Sequence, residues 1–128
     1  MNRRGRGPKV CAFSEIESAE LFGCVAGTAH LYVDPSGNVC PCDFTPLSFG
    51  NITQEPLETI WQRMSGALRQ PRCQCLIQSH HELIAEQSAG QQYPLSPDVS
   101  CRIASQMPAG PLPDFFHVVS QPLGFFLH

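Results

Sequence analysis

The chain has 128 residues, of which 42% are hydrophobic and 15% are charged, and its formal net charge is −3. This length is enough for one small domain with a single core. The weak negative charge gives no sign of a nucleic-acid-binding protein. No apolar run approaches the roughly 20 residues of a membrane span, and no apolar stretch follows the basic N-terminal residues as in a secretory signal. We therefore expect no membrane or nucleic-acid partner and a cytoplasmic location.

Seven cysteines are a high number for a chain of this length. Disulfides are rare in cytosolic proteins, and a closed disulfide framework would leave one of seven thiols unpaired. Metal ligation by thiolates is therefore the leading interpretation before any motif is considered.

Residues 1–22 are predicted to be a linker or lead-in. After Cys24, the segment "TAHLYV" is predicted to be a strand, "DPSGN" a turn and "VCPC" a short return strand. Together these segments predict a β-hairpin. We expect a two-residue turn, which sets a register in which Leu31 faces Cys40 and Ala29 faces Cys42.

The hairpin separates the two cysteines of "CPC". Side chains alternate along a strand, so Cys40 and Cys42 should point to the same face. Cys42 lies at the open end of the hairpin, where the chain arrives from Cys24, whereas Cys40 lies deeper, opposite Leu31. This geometry favours Cys42 as the partner of Cys24.

Helices are predicted after the hairpin. The first carries an apolar stripe at helical spacing, formed by Leu57, Ile60, Trp61, Met64 and Leu68. A second is predicted in "LIQSHHELIAEQ", where His80 and His81 are expected on a half-exposed face, and a short third from Ser96. Residues 108–128 are predicted to be an extended tail rich in proline and aromatic residues.

Two groups of cysteines are candidates for metal ligation: Cys24 with the hairpin pair, and Cys73 with Cys75. Four thiolates from two such groups can enclose either a zinc ion or an iron–sulfur cluster. Soft sulfur ligands suit both, so the chemistry alone leaves both open.

An ordered series of motifs resembles the SPASM and twitch domains, the C-terminal auxiliary-cluster region of radical S-adenosylmethionine proteins. The resemblance covers roughly residues 23 to 76. It is carried by Cys24, Gly37, Pro41-Cys42, Gly50-Asn51-Ile52, Leu57 and Ile60-Trp61, followed by Cys73 and Cys75.

The resemblance implies one [4Fe–4S] cluster held by cysteine thiolates. Cys24 and Cys42 are the best matches for its ligands, and Cys73 and Cys75 would supply the third and fourth. Only a few cysteines follow the predicted helix, so the count fits a single cluster, closer to the twitch form. Cys40 has no clear counterpart and is expected to be a neighbouring thiol. Elsewhere, Cys11 and Cys101 are expected to be buried structural thiols.

The Cys-x-x-x-Cys-x-x-Cys motif of a radical S-adenosylmethionine barrel is absent from this sequence. The resemblance therefore implies an accessory domain without catalytic residues of its own. Its partner would be a barrel, in cis or in trans, that binds the S-adenosylmethionine, and its substrate could be a peptide. The alternative is a structural zinc-binding interaction module. In either case we expect a small α+β domain over residues 23–107, with a β-hairpin followed by short helices around the metal.

Overall fold

The computed structural model describes residues 23–120. The predicted lead-in at 1–22, with Cys11, lies outside the described residues, as does the end of the tail. The described elements are strands β1 (Tyr32–Val33) and β2 (Val39–Cys40), and helices α1 (Leu57–Leu68), α2 (Leu76–Ser88), α3 (Pro97–Ser105) and α4 (Asp114–Ser120). The two strands pair antiparallel. This arrangement confirms the predicted small α+β fold.

The hairpin turn contains three residues rather than the predicted two. The Asp34 N–H donates to the Asn38 carbonyl at 3.0 Å, so these two residues close the loop. The Asp34 Oδ1 atom accepts hydrogen bonds from the backbone N–H groups of Ser36 and Asn38, both at 2.9 Å. Gly37 has a φ of 92°, a conformation that glycine adopts without a steric penalty. This is the pattern of a three-residue hairpin loop with glycine at its last position.

The additional loop residue shifts the strand register by one. Tyr32, not the predicted Leu31, lies opposite Cys40. A slip of one residue moves a side chain to the other face of a hairpin, so this correction changes the environment of Cys40.

The predicted pairing of Ala29 with Cys42 is also wrong. Strand β2 ends at Cys40, and the next residue, Pro41, has no N–H to donate to a ladder. Ala29 instead lies in a turn, and its N–H donates to the Val25 carbonyl at 3.0 Å. Cys42 therefore follows the hairpin as part of a loop.

The core lies between helices α1, α2 and α3 and the loop after the hairpin. Of the predicted stripe on α1, Ile60, Met64 and Leu68 are fully buried, whereas Leu57 is 44% exposed and Trp61 is partly buried against the core. The other large side chains that are fully buried include Leu47, Phe49, Leu76, Leu95, Ile103 and Met107. Helix α1 packs against α3, and α3 also packs against α2.

The tail is extended only in part. Residues 108–113 have no regular structure, but helix α4 follows at Asp114–Ser120. The Phe116 N–H donates to the Pro113 carbonyl at 3.0 Å, so the helix begins directly after the last proline of this stretch. The expectation of an extended segment to the end of the chain is therefore wrong for α4, because proline is well tolerated where a helix begins.

None of the helices between residues 23 and 120 has the length and apolarity needed to cross a membrane.

Candidate metal centre

Cys24 is fixed next to the loop that follows α1. Its backbone N–H donates to the Arg72 carbonyl at 2.6 Å, and the Arg72 N–H donates to the Cys24 carbonyl at 3.0 Å. These bonds form an isolated antiparallel bridge. The bridge brings Cys24 beside Cys73, the residue that follows Arg72, although the two cysteines are far apart in the sequence.

Cys42 lies in the loop after β2, where both its backbone and its side chain contact Thr45. The Thr45 N–H donates to the Cys42 carbonyl at 3.2 Å, and the Thr45 Oγ1 atom lies 3.0 Å from the Cys42 Sγ atom. Thr45 is only 2% exposed. When the sulfur is a thiolate, the hydroxyl must be the donor, and such a charge-assisted hydrogen bond stabilises the anion.

Cys73 and Cys75 lie in the short connection between α1 and α2, and both are partly exposed. Cys75 is the N-cap residue of α2. The thiol of Cys73 donates to the Pro111 carbonyl at 3.4 Å, so the segment before α4 packs against this loop.

The four predicted ligands share one cavity. Cys24, Cys42, Cys73 and Cys75 all line a space of about 490 Å³. Its other lining residues are Gly23, Val25, Ala26, His30, Leu31, Tyr32, Asp43, Phe44 and Ile77. Among the described residues, no three His, Cys, Asp or Glu side chains are close enough to hold a metal ion as they stand. The thiols thus border the cavity instead of meeting at one point.

The part of the chain that carries the four cavity cysteines matches a known protein family. Residues 24–85 match the family model for SPASM, an iron-sulfur cluster-binding domain. The match covers just under half of the chain. The predicted resemblance is therefore confirmed, and with it the expectation that the domain binds an iron–sulfur cofactor.

Two similar proteins are each named AdoMet-dependent heme synthase. The one from Methanosarcina barkeri (strain Fusaro) is 40% identical over 40 residues, which cover 31% of this chain and 12% of the relative. The one from Nitratidesulfovibrio vulgaris (strain Hildenborough) is 38% identical over 52 residues, which cover 41% of this chain and 14% of the relative. The matches thus span less than one sixth of either relative. No solved structure matches the chain.

Burial controls the acidity of Cys24 in the SPASM domain. It raises the pKa of the Cys24 thiol, and the neighbouring thiols of Cys75 and Cys42 raise this pKa further. Hydrogen bonds from the backbone N–H groups of Ala26 and Leu76 oppose the rise because they stabilise the thiolate. Without a metal, Cys24 therefore favours its protonated form, and a metal must displace the proton to bind.

Cys40 does not line the cavity that the other four share. It is 5% exposed, and it borders a smaller adjoining space that also includes Cys42 and Tyr93. Burial, followed by the nearby charges of Asp34 and Cys42, raises the pKa of Cys40 to about 11. Such a thiol stays protonated at neutral pH, as expected for a neighbour of the site.

The remaining predicted residues lie elsewhere. Cys101, expected to be buried, is only partly buried on α3. Burial raises the pKa of its thiol, Arg63 opposes this rise and Asp98 adds to it. His81 is exposed and His80 is partly exposed, in agreement with the predicted half-exposed helix face. Neither histidine lines the cavity.

Two other residues at the cavity were not predicted to be site residues. His30 reaches it because the turn at residues 27–29 folds back, so that His30 forms a bridge with Ala26. In the sequence, His30 is one residue of a predicted strand and carries no distinguishing signal. Asp43, next to Cys42, also lines the cavity.

Arg72, the bridge partner of Cys24, is a buried cation. It is 6% exposed, and its Nη1 atom donates to the Leu68 carbonyl at 3.0 Å and the Gln70 carbonyl at 3.3 Å. Burial lowers the pKa of Arg72, and Arg69 lowers it further, whereas the Cys24 sulfur raises it. The motif "RQPRC" gave no sequence signal that distinguished Arg72 from the exposed Arg69.

Proposed function

We propose that this SPASM domain binds one [4Fe–4S] cluster through the thiolates of Cys24, Cys42, Cys73 and Cys75. We further propose that it supports a radical S-adenosylmethionine barrel in the same chain or in a separate one. One observation supports the ligand set most directly: four cysteines from three separate segments line a single cavity.

The donor set suits this cofactor. Four cysteine thiolates are the usual ligands of a [4Fe–4S] cluster. A single zinc ion would need all four sulfurs about 2.3 Å from one point. The thiols border a cavity of about 490 Å³ without converging, which suits a larger multinuclear group better than a lone ion. When bound, such a cluster supplies one-electron transfer if four cysteines ligate it, or an open iron position for a substrate if only three do.

The surrounding protein groups support thiolate ligands. The Thr45 hydroxyl is in place to donate to Cys42, and the N–H groups of Ala26 and Leu76 are in place to donate to Cys24. Hydrogen bonds to ligand sulfurs orient the ligands and tune the reduction potential of a cluster. Val25 and Leu31 add apolar lining that limits access of water.

An accessory role agrees with the relatives, whose name describes them as AdoMet-dependent. S-adenosylmethionine would bind to the barrel and not to the SPASM domain. In this proposal the barrel also sets the substrate. A peptide is the class that the family resemblance implies, and a haem-forming reaction is what the relatives' name indicates for them.

The proposal is tested by comparing the uptake of iron and sulfide with the uptake of zinc. The full chain is purified without oxygen and offered iron with sulfide, or zinc, at equal concentration. We expect about four iron and four sulfide per chain and a broad absorbance in the visible range. Cys101→Ser, outside the cavity, serves as the control and should bind as much iron as the unchanged chain. One zinc per chain after the zinc treatment, with no iron or sulfide retained after the other treatment, would contradict the proposal and favour a zinc module.

A further inference from the structure

Arg72 has hydrogen-bonding capacity that the described residues do not use. Its side chain is buried, and two of its guanidinium atoms, Nε and Nη2, have no hydrogen-bond partner in the part of the chain that the structure describes. Its third nitrogen donates to the carbonyls of Leu68 and Gln70, which carry no full charge. A buried cation without an anionic partner is costly, and proteins seldom retain one without a compensating charge.

The backbone of Arg72 lies next to two of the cavity cysteines. Arg72 and Cys24 are directly opposed in an antiparallel bridge. Side chains of directly opposed residues leave the backbone on the same face, with Cβ atoms about 5 Å apart. Cys73 follows Arg72 in the chain. The Arg72 charge interacts electrostatically with the Cys24 sulfur, although Arg72 itself does not line the cavity.

We propose that Arg72 is the buried counter-charge of the metal centre, an inference that rests on the proposed function. Four thiolates outweigh the positive charge of a cluster core, so the loaded site would be negative, and one-electron reduction would make it more so. A fixed positive charge near Cys24 offsets part of this negative charge. It stabilises the reduced cluster more than the oxidised one and so raises the reduction potential. Net charge near a cluster is one of the factors that set this potential.

Burial makes this charge more effective than that of its neighbour. Arg69 also carries a positive charge in the same loop, but it is exposed and its Nη2 atom donates to the Met107 carbonyl. Water and salt screen an exposed charge much more than a buried one. Removal of the Arg69 charge should therefore change the potential little, which makes Arg69 the matched control.

The experiment compares Arg72→Met, Arg72→Lys and Arg69→Met with the unchanged chain. Each is reconstituted without oxygen, iron and sulfide are measured, and the cluster is titrated with dithionite while its paramagnetic signal is recorded. In Arg72→Met, the ratio of reduced to oxidised cluster at a fixed solution potential should fall at least tenfold, or about 59 mV for one electron. Arg72→Lys and Arg69→Met should stay within threefold of the unchanged chain.

Each outcome decides one proposal. If the unchanged chain takes up no iron and sulfide, the proposed function fails. If it does, and Arg72→Met has an unaltered potential, the counter-charge is refuted. If Arg72→Met holds no cluster, Arg72→Lys decides: an intact cluster of normal potential supports the counter-charge. Loss of the cluster from Arg72→Lys as well, or a tenfold shift in it, would show that the shape of arginine matters rather than its charge.

Discussion

Cys24 and Arg72 exchange two backbone hydrogen bonds, 2.6 and 3.0 Å long, and thereby join the chain entering the hairpin to the loop after α1. This contact connects the two groups of cysteines. Helix α1 lies between them in the sequence, and its buried face against α3 fixes where the second loop begins. The predictions below depend on this contact and on the groups around it.

Gly23→Ala should disrupt the bridge. Gly23 has a φ of 65°, and a Cβ at this position would lie 2.0 Å from the Arg72 carbonyl oxygen, so the backbone must move. We expect the free energy of unfolding to fall by about 2–4 kcal/mol, measured by urea denaturation, together with loss of iron uptake.

Gly90→Ala is the matched control for that change. Gly90 has a similar φ of 76°, but an added Cβ would meet nothing within 4 Å. It should therefore show only the backbone penalty, about 1 kcal/mol, and keep its iron. Equal effects of the two substitutions would mean that the contact with Arg72 is unimportant.

Cys42→Ser should remove the cluster, whereas Cys40→Ser should leave most of it in place. Cys42 lines the shared cavity and Cys40 does not. We expect Cys42→Ser to lose most of its iron and sulfide, whereas Cys40→Ser should retain most of both. Metal and sulfide analysis after identical reconstitution checks this, and equal losses from both variants would be inconsistent with the assignment.

Thr45→Val should lower the reduction potential while leaving the cluster in place. The substitution keeps the shape of the buried side chain but removes the hydroxyl 3.0 Å from the Cys42 sulfur. A hydrogen bond that is stronger by about 1 kcal/mol in the reduced state than in the oxidised state changes the ratio of reduced to oxidised cluster roughly fivefold. Thr45→Ser keeps the hydroxyl and should behave like the unchanged chain. A titration that gives the same potential for all three would remove Thr45 from the site.

The stability of the metal-free chain should fall at alkaline pH. Burial raises the pKa of Cys40 from an ordinary 9.0 to about 11. Between these values the folded chain keeps a proton that the unfolded chain releases, so stability is lost as the pH rises. For Cys40 the loss is about 2 kcal/mol. Urea unfolding at pH 8 and pH 11 should show that Cys40→Ala lacks this part of the decline, and the same decline in both chains would contradict it.

Local chemistry made much of the fold predictable. The residues of "DPSGN" each favour a turn, and the spacing of Ile60, Met64 and Leu68 indicates one buried helical face. The hairpin register was not predictable from turn propensity alone. It depends on the Asp34 carboxylate, whose hydrogen bonds to Ser36 and Asn38 favour a three-residue loop over a two-residue one.

The candidate site was predictable where its chemistry is concentrated in one residue type. Cysteine spacing and the order of the motifs identified the four cysteines that line the cavity. Arg72 and His30 were missed because their roles arise from tertiary contacts. In the sequence, an arginine between a proline and a cysteine is typical of an exposed loop residue. In the structure, Arg72 forms a bridge with Cys24 and is buried.

The most direct test of the central claim compares two multiple variants of the full chain. One replaces the cavity cysteines by serine: Cys24, Cys42, Cys73 and Cys75. The other replaces the remaining three: Cys11, Cys40 and Cys101. Iron and acid-labile sulfide are measured after anaerobic reconstitution. We expect the first variant to hold neither and the second to hold about four of each per chain. An empty second variant, or a cluster in the first, would contradict the account.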